Sequence, residues 1–243
     1  MTSAEMEEEF LILYDKITNF DAPGYLSDEI SRFLTKAQER LVLHIMNPLG
    51  NKYVTGFEYT EKRRKDLSEL VRNSTLTSAD VSANQIGVKP NGTFFDLPSD
   101  FLYTLDEEVL TSSTNACFDA NRIEVKPITH NEYTKNKRNP FKKPNENLVW
   151  RMDFSKATST GPKRHELITS DDYTVDTYYI RYMRRPQPII SDTSTIEGVV
   201  GPLDCELDAI THRSIIDEAV AIAAGITTPE LWQLKRSEAS LSE

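Results

Sequence analysis

The chain has 243 residues, 38% of them hydrophobic and 27% charged, with a formal net charge of −10. That length can bury one sizeable core, or one core and a smaller satellite. The excess of acid makes the chain a poor candidate for a free-standing binder of nucleic acid or of anionic membrane. Two cysteines, Cys117 and Cys205, stand far apart with no second thiol beside either, so neither a disulfide framework nor a zinc knuckle is implied. The start is acidic at Glu5, Glu7, Glu8 and Glu9 where a secretory leader would be basic, and no run approaches the ~18 apolar residues of a membrane span. The expected place of work is the cytoplasm or an assembly built there.

Met6, Phe10, Leu13, Tyr14 and Ile17 recur at helical spacing and predict a first helix near 4–20, ended by Asp21-Ala-Pro-Gly24. Ser27 reads as an N-cap with Asp28 and Glu29 behind it. Ile30, Phe33, Leu34, Ala37, Leu41 and Ile45 then form one apolar stripe over 27–46. A third, shorter helix is predicted over 60–71, where Leu67, Leu70 and Val71 lie opposite the basic run Lys62 to Lys65. That run is either a solvated face or a protein or phosphate contact. From 73 to 91 the sequence is rich in Ser, Thr and Asn with little periodicity and reads as a long loop or docking arm.

Strand-like alternation follows at 93–97, 101–110, 122–126, 148–154, 165–169 and 173–183, with Asp171-Asp172 as a turn. The last run stops at Pro186 and Pro188 as the final strand of a sheet would, and the set reads as an antiparallel meander or small barrel. Thr129 and Glu132 match a capping box and predict a short helix that interrupts the sheet before Asn139-Pro140. Directly after it, Lys135, Lys137, Arg138, Lys142 and Lys143 make a Pro-bounded segment with no acid. It is either plain solubility or a contact with an acidic neighbouring subunit or with DNA phosphate.

Past Pro202 the helical signal returns. Leu207, Ile210, Ile215, Ile216, Ala219, Val220 and Ala223 predict a mostly apolar helix over 206–225, flanked by Asp204, Glu206, Asp208, Asp217 and Glu218. Thr228-Pro229-Glu230 starts a short last helix, and the Ser/Glu tail should fray. The expected class is α+β: a helical bundle from the N- and C-terminal helices with an inserted antiparallel β domain. Residues 1–72 and 203–235 would be the helical core, 73–91 the loop, 92–190 the insertion and 236–243 a flexible tail.

Motifs that carry chemistry are mostly absent from the sequence. Asp204, Glu206 and Asp208 resemble the start of a calcium loop, but the sixth position is Ala209 rather than glycine and the twelfth is Ile215 rather than glutamate. His44, His130, His165 and His212 show no zinc spacing. With only nine glycines and no phosphate-loop pattern, nucleotide use is not expected, and no metal or cofactor is. One enzyme alternative stands: Asp119, Glu124 and Lys126 have the acid, acid-x-lysine arrangement with which a magnesium-dependent nuclease holds its ion. Such a triplet arises by chance about twice in a chain of this composition, so it says little.

The remaining signal is an order of segments. The two N-terminal helices are followed by GTFFDLPSDFLY from Gly92 to Tyr103, KPITHNEY from Lys126 to Tyr133, the Asn139-Pro140 turn, YIRYMRRP from Tyr179 to Pro186 and a final Ile/Ala-rich helix. This layout resembles the head-to-tail connector (adaptor or ring) proteins of short-tailed phages, and most the ring proteins of crAss-like phages. The resemblance implies a structural virion protein and no enzyme, assembled in the host cytoplasm. It implies a ring of copies, commonly twelve, between portal and tail, touching the portal and neighbouring tail or ring proteins. Genomic double-stranded DNA would pass the lumen without specific binding, and no membrane is involved. An acidic bore would repel phosphate while isolated basic loops dock to neighbours. On that reading Asp204, Glu206, Asp208, Asp217 and Glu218, or the acids from Glu5 to Glu9, line the channel, and the cations from Lys135 to Lys143 make subunit or ring contacts.

Overall fold

Between Val71 and Arg184 most strands place alternate side chains in a core. The computed structural model describes residues 1–18, 24–47, 57–78, 91–113, 121–155, 163–170 and 173–227. Seven strands, β1 (Val71–Thr77), β2 (Gly92–Asp96), β3 (Phe101–Ser113), β4 (Asn121–Pro127), β5 (Leu148–Ser155), β6 (Lys163–Ile168) and β7 (Tyr173–Arg184), form one sheet in the order β1-β7-β3-β4-β5-β6-β2. Five of the six pairings are antiparallel, and β4 runs parallel to β5 from Glu124↔Leu148 to Pro127↔Arg151.

The sheet curls. Register shifts in the β3–β7 pairing between Phe101 and Tyr103, Thr104 and Asp106, and Leu110 and Thr111 bend the long strands. Side chains of strands that are not neighbours therefore meet across the interior. Tyr178 of β7 lies edge-on to Phe95 of β2 at 5.4 Å, and Phe101 of β3 lies edge-on to the His165 ring of β6 at 5.6 Å. Phe95, Val109, Ile123, Val149, Leu167 and Tyr178 fill the concave side. On the convex side Trp150, Met152 and Ile168 are covered by Ile128 and by Tyr133 of α4 (His130–Asn136). Covered on both faces, β6 is buried from Arg164 to Ile168.

The expectation of a helical bundle with an inserted antiparallel β domain is overturned. The architecture is mainly a large curled mixed sheet of seven strands with a few helices. Two physical reasons account for the difference. The segment holding α4 is a crossover, and a crossover of this length lets β4 and β5 run parallel. The expected loop at 73–91 begins with strand β1, whose residues from Val71 to Thr77 pair with Met183 to Thr177. Its polar Arg-Asn-Ser-Thr sequence suits a half-exposed edge and hides the alternation. Residues 79–90 and the Asp171-Asp172 turn lie outside the described residues.

The chain divides into two compact units, 71–185 and the pair of segments 1–70 with 186–243. The second unit holds α1 (Ser3–Thr18), α2 (Ser27–Met46), α3 (Glu61–Asp66), a hairpin of β8 (Thr195–Ile196) and β9 (Val199–Val200), and α5 (His212–Thr227). Met6, Phe10 and Tyr14 place one face of α1 in the core. Phe10 stacks on Phe33 of α2 at 6.3 Å, and Tyr25 packs against Tyr14 and Phe33 and donates its hydroxyl to the Ala223 carbonyl of α5 at 3.4 Å. Burial and the neighbouring Tyr14 push the Tyr25 phenol far above its ordinary value.

Several local expectations need correction here. Ser27 is the first helical residue rather than the cap: the Leu26 amide donates to Glu29 Oε2 at 3.0 Å, and the Ser27 hydroxyl donates to Glu7 at 2.6 Å. The third helix stops at Asp66, with a 3-10 turn at Ser68–Leu70 before β1. α5 starts at His212 rather than near 206, because Asp208 accepts from the Ile210 amide at 3.2 Å and closes a 3-10 turn first. In the β8–β9 hairpin Glu197 (φ 53) and Gly198 (φ 84) are both left-handed, the two-residue turn that matches strand twist. The short last helix from Thr228 lies outside the described residues.

Candidate assembly surfaces

The basic segment is an exposed short helix and turn held by local hydrogen bonds. Thr129 Oγ1 accepts from the Glu132 amide at 3.2 Å while Glu132 Oε2 accepts from the Thr129 amide at 2.9 Å, so the capping box read from sequence starts α4. Those bonds hold the Glu132 carboxyl below its usual range. Tyr133 of α4 meets Trp150 of β5 edge to face at 6.0 Å and fixes the helix to the sheet. Beyond α4, the Lys142 and Lys143 amides donate to the Asn139 carbonyl at 3.1 and 2.9 Å, and the Phe141 amide donates to Asn139 Oδ1 at 3.0 Å. Lys135, Lys137, Arg138, Lys142 and Lys143 are all exposed on this segment, with the Lys137 ammonium 5.9 Å from the centre of the Tyr133 ring. Between them stands Phe141, 93% exposed. The sequence reading found the cations and passed over the aromatic in their midst.

The C-terminal acids hold the chain together locally. Asp204 Oδ1 accepts from the Ser3 amide at 2.6 Å, capping the start of α1 from 201 residues away, and that bond lowers its pKa. Glu206 accepts from the Gln187 amide at 3.2 Å. Asp208 caps its turn, and Glu218 pairs with Arg40 of α2 at 3.0 Å. Asp217 is exposed on α5. On α1, Glu5 and Glu8 are exposed and Ile12 follows on the same helical face at 55% exposure.

The sheet interior holds an ionisable network with no local signature in the sequence. The Tyr178 hydroxyl donates to Glu107 Oε2 at 2.5 Å and lies 2.8 Å from His165 Nδ1. Arg151 pairs with Glu107 at 3.3 Å and donates to Thr104 Oγ1 at 2.8 Å, while His165 Nε2 lies 3.3 Å from Asp153. Burial raises the Glu107 carboxyl, partly opposed by Arg151. Burial and the same guanidinium push the His165 imidazole down to about 3, so the ring is neutral at pH 7. Burial and the Glu107 charge drive the Tyr178 phenol far above its ordinary range. These groups come from β3, β5, β6 and β7, which only the curl brings together. On the opposite face of β6 Arg164, also buried, pairs with Asp96.

The nuclease triad is not assembled by what is described. Glu124 and Lys126 are exposed on β4, alternating with buried Ile123 and Val125, and Asp119 lies outside the described residues. Among the described residues no three His, Cys, Asp or Glu side chains gather as a metal site. Cys205 is a free thiol that burial pushes up to about 11, away from reactivity at pH 7. No helix among the described residues is long and apolar enough to cross a membrane.

A curled sheet bearing an exposed basic helix and turn, with acidic patches elsewhere on the same chain, has the features of an assembly component. The family model for phage tail ring protein 3/4 matches residues 1–229. The chain is similar to ring protein 4/5 of Bacteroides phage crAss001, 34% identical over 230 residues that cover 92% of each chain. Ring protein 3 of the same phage is 32% identical over 230 residues, covering 92% of this chain and 95% of that one. The chain belongs to this family of phage tail ring proteins.

Proposed function

We propose that the protein is a structural component of the virion that closes with copies of itself into a ring between portal and tail and extends the channel through which double-stranded DNA leaves. The observation that carries this reading is the family membership across nearly the whole chain. The distribution of charge supports it. A net charge of −10 keeps a bore from holding phosphate, while cations gathered on one segment suit contact with an acidic neighbour. Twelve copies is the closure we adopt, with the portal or an adjoining ring as the axial partner. Asp204, Glu206, Asp208, Asp217 and Glu218 are the acids we assign to the bore. Lys135, Lys137, Arg138, Lys142 and Lys143 are assigned to contacts between subunits or rings. The role needs no cofactor and no catalytic residue.

The test is the mass of the purified full-length protein with and without its portal, by native mass spectrometry. The expected species is a closed ring of about twelve copies, formed alone or when portal is added. A protein that stays monomeric with portal and with the neighbouring tail proteins would refute the ring.

A further inference from the structure

The Phe141 turn has the chemistry of an anchor awaiting a socket, and its surroundings specify what the socket is made of. Large aromatics are seldom left 93% exposed, and this one is held by a turn whose amides are already bonded to Asn139. A side chain displayed on a hydrogen-bonded turn loses little further freedom on docking. Interface hot spots are enriched in aromatic and arginine side chains surrounded by groups that exclude water. Lys142 and Lys143 follow Phe141 directly and Lys137 and Arg138 precede it by four and three residues, all exposed, so the matching surface is apolar where it meets the ring and acidic beside it.

The same chain carries such a surface on α1, where Ile12 shares a helical face with Glu5 and Glu8. A helical unit that presents acids beside an exposed isoleucine, and a sheet unit that presents cations beside an exposed phenylalanine, are complementary between copies. This is the head-to-tail kind of contact that closes a ring. Resting on the ring reading above, we infer that Phe141 of one subunit docks against the Glu5–Glu8–Ile12 face of α1 in a second copy, with the flanking cations pairing to those acids. A cation-rich aromatic also suits stacking on single-stranded nucleic acid, but a chain of net charge −10 disfavours that partner.

The experiment uses rings taken from particles assembled with full-length protein in which Phe141→p-benzoylphenylalanine supplies a photo-crosslinker. The expected product is a crosslinked pair of copies joined from position 141 to the peptide spanning 4–15. Lys142→Glu with Lys143→Glu should lower that yield at least tenfold at low salt, as should Glu8→Lys, with Glu5 left in place because its carboxylate accepts from the Thr2 amide at the start of α1, and combining the two sets should restore it. Rings that form but crosslink elsewhere, to another protein, to DNA or not at all overturn the contact and leave the ring reading standing, as does failure of the combined reversal to restore the yield. Absence of any ring from parent protein overturns both.

Discussion

Burial shifts the acid chemistry of both His165 and Glu107 inside the sheet, and they respond to pH in opposite directions. His165 titrates near 6.5 when unfolded and near 3 when folded, so the stability carried by its neutral ring is whole above pH 6.5 and is lost as pH falls from there towards 3. Glu107 has a raised folded value, so its share is whole below the ordinary glutamate range and is lost as pH rises through the folded value. For His165→Phe we expect a loss of about 1 kcal/mol at pH 7, because the Tyr178 hydroxyl and Asp153 each lose one contact while keeping Glu107 and Arg151 respectively. The gap in urea-unfolding free energy between parent and variant should narrow as pH is lowered from 6.5 towards 3. A gap that stays constant over that window would mean the ring is not held neutral in the fold.

Among the elements, α2 shows how a helix face that reads as polar can be part of the interior. Ser31, Thr35 and Gln38 are buried at helical spacing opposite the extended segment at 187–191. The Gln38 amide donates to the Gln187 carbonyl at 3.2 Å, Thr35 Oγ1 accepts from the Ile189 amide at 3.1 Å, and the Ser31 hydroxyl lies 3.1 Å from that of Ser191. This polar row satisfies the Ile189 amide while Ile190 exchanges two backbone hydrogen bonds with Leu203, which is why both isoleucines can be buried with their backbone satisfied. Thr35→Val keeps the shape and removes the acceptor, leaving the Ile189 amide unpaired in the interior. Chemical denaturation should show a loss of about 1–3 kcal/mol, and a change within error of zero would mean that the segment is held by its isoleucines alone.

For the whole molecule the question is where the negative charge goes in the assembly. Asp204, Glu206 and Asp208 each accept a backbone hydrogen bond, so reversing them would disturb folding as well as any channel. Asp217, exposed on α5, is the acid of this set to reverse. If the ring presents these acids to passing DNA, Asp217→Lys repeated around the bore should slow DNA ejection from assembled particles at low ionic strength. The difference from parent should shrink at high salt as counterions screen the phosphates. Equal ejection rates at low salt would move the bore to another surface, with the exposed acids of α1 next to be tested.

Sequence alone determined what depends on neighbours along the chain. Strand-like runs marked every strand of the large sheet except β1, helical spacing marked α1 and α2 to within a few residues and α5 with its start six residues early, and Thr129 with Glu132 marked α4. The five cations were legible as a charge contrast, since charge is a property of the residues themselves. Phe141 sits in plain view in that run, but its exposure is not a local property, and most phenylalanines are buried. Tertiary structure decided the rest. The crossover through α4 turned an expected antiparallel sheet into a mixed one, and the bulges in β3 curled it until Glu107, Arg151, His165 and Tyr178 met from four strands. It also decided that Asp204 caps a helix at the opposite end of the chain and that Thr35 faces inward. A polar side chain carries no periodic signal of its own, so whether it meets water or a buried partner is fixed only when distant segments come together.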